Sequence, residues 1–211
     1  MRLFGIVGDC SLTNFNFFVL DVGCGGSPVG DVNCDLYIND VNHHRTIKHT
    51  DLYHINSRLV PNFVCCEASH LPFKSECFDL VMSRQVIEHV PKPELMAAEM
   101  VRCSKNIVII ETVHRRGERL GNRESRKFMK QCHPNKFDWT YFGKLAKMLK
   151  VNLVLNQATD YLPLFSFKGF SLPFPLFPFG IRIVFCKKHT DFSVLKKRSD
   201  PKVQYLESVG L

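Results

Sequence analysis

The sequence carries a glycine-rich turn between two acidic residues, a pattern that can bind a nucleotide-like ligand. The run "FFVLDVGCGG" predicts a buried strand that ends at Asp21, and Gly23 and Gly25 follow at once. These glycines let the backbone turn sharply and let a ligand lie against it. Asp35 ends the next apolar run, and its carboxylate could accept hydrogen bonds from two vicinal hydroxyls, such as those of a ribose. Ser27 replaces the third glycine of a dinucleotide fingerprint, and no G-K-[ST] of a P-loop follows. A glycine turn without a ligand is the alternative interpretation.

Seven apolar runs are typical of β-strands. We predict strands over residues 15–22, 32–38, 62–69, 78–85, 105–113, 151–161 and 180–188. Helices are predicted over 92–103 and over 140–150, the second capped by Asp138 or Thr140. Alternation of strands and crossovers is typical of an α/β fold with a mostly parallel sheet. The last two strands lack a helix between them, which indicates an antiparallel hairpin at one edge. The link "GGSPVGDVN" is too short for the expected first crossover helix.

Length and composition fit one globular domain. The chain has 211 residues, of which 45% are hydrophobic. We expect a domain over 1–190, with a cofactor half at 15–113 and a C-terminal half at 114–190, and a basic flexible tail at 191–211. The net charge of +8 favours acidic partners, although an ordinary basic surface is the simpler interpretation.

The cysteines and the apolar runs indicate the cellular compartment in which we expect the protein. Nine cysteines form no C-x-x-C pair, so we expect free thiols, no metal site and a reducing, cytoplasmic setting. We find no signal peptide and no run of 18 apolar residues.

Four motifs in order resemble a known family. "VLDVGCGGSP", "CDL", "CEASHLPF" and "CFDLVMSRQVIEHV" are similar to the patterns of class I S-adenosylmethionine-dependent methyltransferases, in their small-molecule, type 11-like branch. The likeness covers about residues 17–113. It implies a Rossmann-like, doubly wound, seven-stranded sheet with an antiparallel last strand, here with the first crossover helix shortened or missing. It also implies S-adenosylmethionine as cofactor and S-adenosylhomocysteine as product.

The resemblance assigns residues to the cofactor site. The set is Asp21, Val22, Gly23, Cys24, Gly25, Asp35, Leu36, Glu67, Ala68, Leu71, Ser83 and Arg84. The glycine loop should line the methionine end, and Asp35 should bind the ribose hydroxyls. Glu67 stands where the family usually has Asp and should approach the adenine amino group, while Leu71 packs near the ring. Ser83 should lie close to the transferable methyl group.

The missing helix removes an N-terminus that would help to bind the methionine carboxylate. A basic side chain should compensate, and Arg2, Arg45 and Arg84 are the candidates that the sequence leaves open.

The reaction needs little from the protein beyond alignment and exclusion of water, because the sulfonium methyl is already activated. The catalytic residues therefore stay unassigned. Candidate general bases are His89, Glu88 and His133, with His114 as a further one; a polar residue on a loop is the alternative for each. His133 is of interest because a His before the helix leading to the sixth strand is frequent in the resembled family.

The acceptor is predicted to be a small or lipid-like molecule. "SRQVIEHV" follows the fourth strand where amino-directed nucleic-acid methylases carry an N-P-P-Y-like run, and no Pro-Cys pair is present. The alternatives are an RNA methyltransferase, which the positive charge favours, and a non-catalytic cofactor-binding or interaction module.

The Phe- and Pro-rich segment at 162–180 has no assigned role. It could be a lid over an apolar substrate, an interface between copies of the chain, a contact with a membrane surface, or a loop folded on the core. The basic stretches 115–130 and 187–202 could attract anionic lipid or RNA.

Overall fold

The computed structural model describes residues 18–26, 28–36, 60–119, 126–127, 130, 132–158 and 179–188, together with the backbone of two short strands at 165–167 and 170–172. Its elements in chain order are β1 (Val19–Val22), β2 (Val32–Asp35), β3 (Phe63–Cys65), β4 (Phe78–Arg84), α1 (Pro93–Cys103), β5 (Ser104–Val113), a short 3₁₀ helix (Gly117–Arg119), α2 (Trp139–Leu149), β6 (Asn152–Ala158), β7 (Phe165–Phe167), β8 (Phe170–Leu172) and β9 (Gly180–Cys186).

Seven strands form one sheet in the order β3-β2-β1-β4-β5-β9-β6. The first five are parallel to one another, whereas β9 is antiparallel to both β5 and β6. The prediction of a doubly wound α/β sheet with an antiparallel last strand is confirmed. The chain reverses direction of travel across the sheet between β1 and β4, which is where open α/β sheets bind ligands.

Helices α1 and α2 pack on the same face of the sheet. Helix α1 begins with Pro93 in its first turn and buries Met96, Ala97 and Met100 against the strands. Helix α2 buries Phe142 and Leu145 in the same cluster. The central strands are buried on both faces, as their unbroken apolar runs predict.

The side chain of Asp138 caps α2, as the sequence predicted. Its Oδ1 accepts hydrogen bonds from the backbone N–H of Thr140 and of Tyr141, both at 3.1 Å. The helix ends at Lys150, which takes a left-handed conformation with φ of 54°.

The link between β1 and β2 contains turns and no helix over its described residues, 23–26 and 28–31, which confirms the missing crossover helix. The buried side chain of Asn33 holds the link in place. It accepts from the N–H of Gly30 and donates to the carbonyls of Gly30 and Pro61. These hydrogen bonds hold the link against the sheet, as a packed crossover helix would otherwise do. The parallel strands β1 and β2 are therefore joined by nine residues rather than the usual dozen or more.

Several predictions concern residues outside this description. They include the candidates Arg2 and Arg45 and the tail at 191–211. The division into domains stays a prediction. Within the Phe- and Pro-rich segment, β7 and β8 pair as a small antiparallel hairpin separate from the main sheet. No helix in the described part of the chain is long and apolar enough to cross a membrane.

Candidate functional site

The glycine loop makes a sharp turn directly after β1. Gly23 and Gly25 have φ of 73° and 54°, in the left-handed region that side chains disfavour. The N–H groups of Gly23 and Cys24 both donate to the carbonyl of Cys34, at 2.8 and 3.1 Å. A Cβ at Gly23 would lie 2.2 Å from a methyl carbon of Val86, whereas one at Gly25 would meet no described atom within 4 Å. Gly23 is therefore packed closely against Val86, whereas the described residues leave space in front of Gly25.

Asp35 joins the end of β2 to this loop. Its Oδ2 accepts from the N–H of Gly25 at 3.0 Å, and its Oδ1 accepts from the N–H of Leu36 at 2.8 Å. The residue is half-buried, while Leu36 is exposed. Each carboxylate oxygen has a second lone pair, so Asp35 could still accept from two vicinal hydroxyls after making these bonds.

Asp21 is fully buried at the end of β1. Its Oδ2 accepts from the N–H of Val29 at 3.0 Å and lies 3.3 Å from a guanidinium nitrogen of Arg84. Its Oδ1 has no hydrogen-bond partner among the described residues. Burial raises the pKa of Asp21, and the Arg84 charge opposes that rise.

Ser83 lies near the end of β4, the strand next to β1. It pairs with Val22 in the β1–β4 register and is buried. Its Oγ also lacks a hydrogen-bond partner within the part of the chain that the structure describes. Two buried polar atoms without partners at the ends of adjacent strands indicate a polar ligand at this edge, because such atoms are costly to leave unsatisfied.

The residues after β3 line the side of the same edge. Glu67 is exposed, and its carboxylate accepts from the hydroxyl of Ser69. Ala68 is half-buried, and Leu71 is buried with its N–H donating to Glu99 at 2.9 Å. The structure therefore brings the predicted cofactor residues to the carboxyl ends of four neighbouring strands.

Comparison with known proteins agrees with this geometry. Residues 20–109 match the family model described as a methyltransferase domain. The match covers 90 of the 211 residues, so the chain is similar to methyltransferase domains over somewhat less than half of its length. No curated protein matches this chain significantly in sequence.

Solved structures share its fold at low sequence identity. A Haloferax volcanii complex of the Trm112 methyltransferase activator with a methyltransferase matches at a TM-score of 0.55 and 13% identity, over 83% of each chain. A Thermotoga maritima S-adenosylmethionine-dependent methyltransferase matches at 0.54 and 16% identity, over 85% of each chain. A Methanosarcina mazei methyltransferase matches at 0.51 and 15% identity, over 80% of this chain and 91% of the other.

The similarity to methyltransferase domains implies S-adenosylmethionine as cofactor, and the residues present fit it. The site offers a glycine turn with space in front of Gly25, a half-buried carboxylate at Asp35 for a ribose, and unsatisfied polar atoms on Asp21 and Ser83. Arg84 is the described member of the three arginines considered for the methionine carboxylate, and it lies beside Asp21.

A second group of polar residues follows β4 and β5. Glu88 is buried; its Oε2 accepts from the hydroxyl of Thr112 at 2.8 Å, and burial raises its pKa. The rings of His89 and His133 meet edge to face at 4.6 Å. Three of the candidate bases, Glu88, His89 and His133, thus lie together at the same edge of the sheet as the glycine loop.

His114, the fourth candidate base, lies apart from this group. Its Nδ1 accepts from the N–H of Arg116 at 3.1 Å, and its ring stacks near Trp139 at 5.0 Å. Desolvation lowers the pKa of this buried imidazole. His114 is therefore held neutral inside the fold.

The sequence analysis missed three residues that position the second group. Thr112 binds Glu88, and Glu118 accepts from Nδ1 of His133 at 2.8 Å. Asn135 donates to the carbonyl of Val90 at 2.6 Å. A signal was present for Glu118, since an acid within the basic run "HRRGERLGNR" is a candidate for a specific ion pair.

Proposed function

We propose that this chain is an S-adenosylmethionine-dependent methyltransferase and that it transfers the methyl group to a small or lipid-like acceptor, which reaches the site at the ends of β4 and β5. The observation that carries the proposal is the burial of two grouped acid–base candidates: Glu88 and His133 are both 5% exposed or less. A reacting atom must enter a confined space to meet them. A small molecule, or the head of a lipid, can do so more readily than the surface of a folded macromolecule.

The cofactor roles assigned from the sequence belong to the same proposal. Asp35 binds the ribose hydroxyls, and the loop at Gly23 and Gly25 lies along the methionine end. Ser83 lies next to the transferable methyl group, and Arg84 neutralises the methionine carboxylate. The unsatisfied atoms of Asp21 and Ser83 and the half-buried Asp35 support these roles.

Methyl transfer itself asks the protein to align the acceptor atom, the methyl carbon and the sulfur in a line. Exclusion of water strengthens the electrostatic contacts that hold this arrangement. A base is required only for an acceptor that arrives protonated, and Glu88, His89 and His133 are the grouped candidates for it.

The acceptor class is tested with radiolabelled S-adenosylmethionine and fractionated cell extract. We expect label in the small-molecule or lipid fraction and little in RNA or protein. Label mainly in RNA, weakened steeply by added salt, would favour the RNA alternative that the +8 charge suggests.

A binding experiment distinguishes a methyltransferase from a non-catalytic cofactor-binding module. Calorimetric titration with S-adenosylmethionine and S-adenosylhomocysteine, with NAD as control, should show binding of the first two ligands only. Cofactor binding without label transfer to any fraction would instead favour a non-catalytic module.

A further inference from the structure

The structure brings together three side chains of types that ligate metals. Glu88, His89 and His133 each offer one ligand atom, and these atoms lie within 4.8 Å of one another. His133 is 44 positions from His89 in the chain, so spacing along the sequence gives no metal motif, and we expected no metal site from it. We propose that Glu88, His89 and His133 bind a divalent transition-metal ion.

The carboxylate of Glu88 supplies the first argument. Its Oε2 accepts from Thr112, but its Oε1 is buried and has no hydrogen-bond partner in the described part of the chain. The residue is 1% exposed. A buried carboxylate oxygen without a partner is costly, and a bound cation would compensate it.

The tautomers of the two imidazoles supply the second argument. Nδ1 of His89 lies 2.7 Å from the carbonyl oxygen of Cys132, which can only accept, so this nitrogen carries the proton. Nδ1 of His133 lies 2.8 Å from Oε1 of Glu118, and an ionised carboxylate likewise only accepts. In the neutral form, each ring then has its lone pair on Nε2, the form of imidazole that binds a metal.

These hydrogen bonds are also the outer contacts that metal-binding histidines use. Such a histidine almost always donates its other N–H to a carboxylate or a backbone carbonyl, which fixes the orientation of the ring. Here Glu118 serves His133 and the carbonyl of Cys132 serves His89. Lys136 lies 3.3 Å from Glu118 and balances part of its charge.

The backbone around the group is held in place before any ion arrives. The side chain of Asn135 donates to the carbonyl of Val90 at 2.6 Å and lies 3.4 Å from that of Ile87. The backbone N–H of Asn135 approaches the carbonyl of Glu88 at 3.4 Å. The segment that carries His133 is therefore fastened to the turn that carries Glu88 and His89.

The donor set indicates the class of ion. Two imidazoles and one carboxylate suit Zn²⁺, Fe²⁺, Mn²⁺ or Co²⁺, whereas Ca²⁺ and Mg²⁺ prefer oxygen ligands throughout. Ligand atoms around tetrahedral Zn²⁺ are roughly 3.3 Å apart, so binding needs side-chain shifts of about an ångström. Three protein ligands leave a coordination position open. An oxygen of the methyl acceptor could bind at this open position. That role rests on the proposed function, whereas the metal site itself does not.

The test is direct binding of Zn²⁺ and Co²⁺ to the full chain after treatment with a chelator. We expect one ion per chain by calorimetry, and a visible absorption spectrum of tetrahedral or five-coordinate Co²⁺. His133→Asn and Glu88→Gln should each weaken binding at least ~10-fold. His70→Asn is the matched control, because His70 is an exposed histidine 3.7 Å from a carboxylate of Glu67 and should leave binding unchanged.

A further variant tests the metal site without removing a ligand, in case the ligand variants fail to fold. Glu118→Gln keeps all three ligands and should still weaken binding ~10-fold or more, as removal of outer contacts does. Binding that is equally strong in His133→Asn, or that is lost in His70→Asn, would overturn the proposal in favour of adsorption at the surface. Calorimetry with S-adenosylmethionine on the same samples separates the two proposals. Binding of one ion without binding of the cofactor would contradict the proposed function alone. Binding of the cofactor without binding of an ion would contradict the metal site alone.

Discussion

A guanidinium nitrogen of Arg84 lies 3.3 Å from Oδ2 of Asp21, and this pair joins the ends of two adjacent parallel strands. The Asp21 side chain is 1% exposed, whereas that of Arg84 is 33% exposed. The carboxylate is therefore a buried charge whose one ion-pair partner among the described residues can reach solvent. Its ionisation, its stability cost and its proposed role in the cofactor site all depend on this contact.

Removal of Arg84 should destabilise the fold. Arg84→Met leaves the Asp21 carboxylate without its ion pair, and we expect a loss of about 1–2 kcal/mol at neutral pH, a modest value because solvent screens the guanidinium. Chemical denaturation measures it. The matched control is Arg115→Met, which breaks the more exposed Arg115–Asp138 pair at 3.0 Å and should cost less than ~1 kcal/mol. Equal losses in both variants would contradict a special role for Asp21.

The same contact predicts a dependence of stability on pH. Burial raises the pKa of Asp21 above its ordinary value of 3.8, so the folded protein holds this proton more tightly than the unfolded chain does. The stability that the proton contributes is present at low pH and is lost as the pH rises through the raised pKa. Asp21→Asn cannot ionise. The free energy of unfolding of the natural protein should therefore fall, relative to that variant, from about pH 4 towards neutrality.

Denaturation curves at several pH values check this sign. A difference between the two proteins that stays constant, or that moves in favour of the natural protein with rising pH, would mean that Arg84 outweighs burial. The variant is also expected to bind S-adenosylmethionine less tightly, which separates the effect on stability from that on binding.

Removal of Asp35 should weaken cofactor binding without unfolding the protein. Asp35→Ala removes the proposed acceptor of the ribose hydroxyls and the bond from the N–H of Gly25. We expect at least ~10-fold weaker binding of S-adenosylmethionine, since hydrogen bonds to a charged group are worth roughly 1.5–3 kcal/mol. Asp79→Ala is the control. Asp79 also accepts a backbone N–H, that of Phe18, but it lies at the opposite end of the strands. Unchanged calorimetric affinity in Asp35→Ala would remove Asp35 from the cofactor site.

Much of the cofactor side could be predicted from the sequence because its determinants are local. The strand that ends at Asp21, the turn at Gly23 and Gly25, and the strand that ends at Asp35 lie within 17 consecutive residues, from 19 to 35. Apolar runs and glycine positions give such elements directly. The short link was visible too, because nine residues cannot hold a crossover helix.

The grouping of Glu88, His89 and His133 could not be predicted because it depends on contacts between distant residues. Glu88 meets Thr112, and His133 meets Glu118, through pairs separated by 24 and 15 positions. The sequence marked Glu88, His89 and His133 separately as candidate bases, but only the fold shows that they meet. Strand ends were also overestimated: the second run was expected over 32–38, whereas β2 is Val32–Asp35. Apolar content continues past the last paired residue, so it does not mark where the pairing ends.

The two glycines of the loop should respond differently to the same substitution. Gly23→Ala would place a Cβ 2.2 Å from a methyl carbon of Val86 in a backbone with φ of 73°. We expect a large loss of stability, about 2–4 kcal/mol, from combined strain and overpacking. Gly25→Ala has φ of 54° but meets no described atom within 4 Å, so it should cost only ~1–2 kcal/mol.

The methyl group of Gly25→Ala would, however, project where the cofactor is proposed to lie. Thermal denaturation with and without S-adenosylmethionine should therefore show a folded Gly25→Ala protein that the cofactor stabilises much less than it stabilises the natural one. Full stabilisation of Gly25→Ala by the cofactor would place the ligand elsewhere, and a well-folded Gly23→Ala would show that Val86 can move aside.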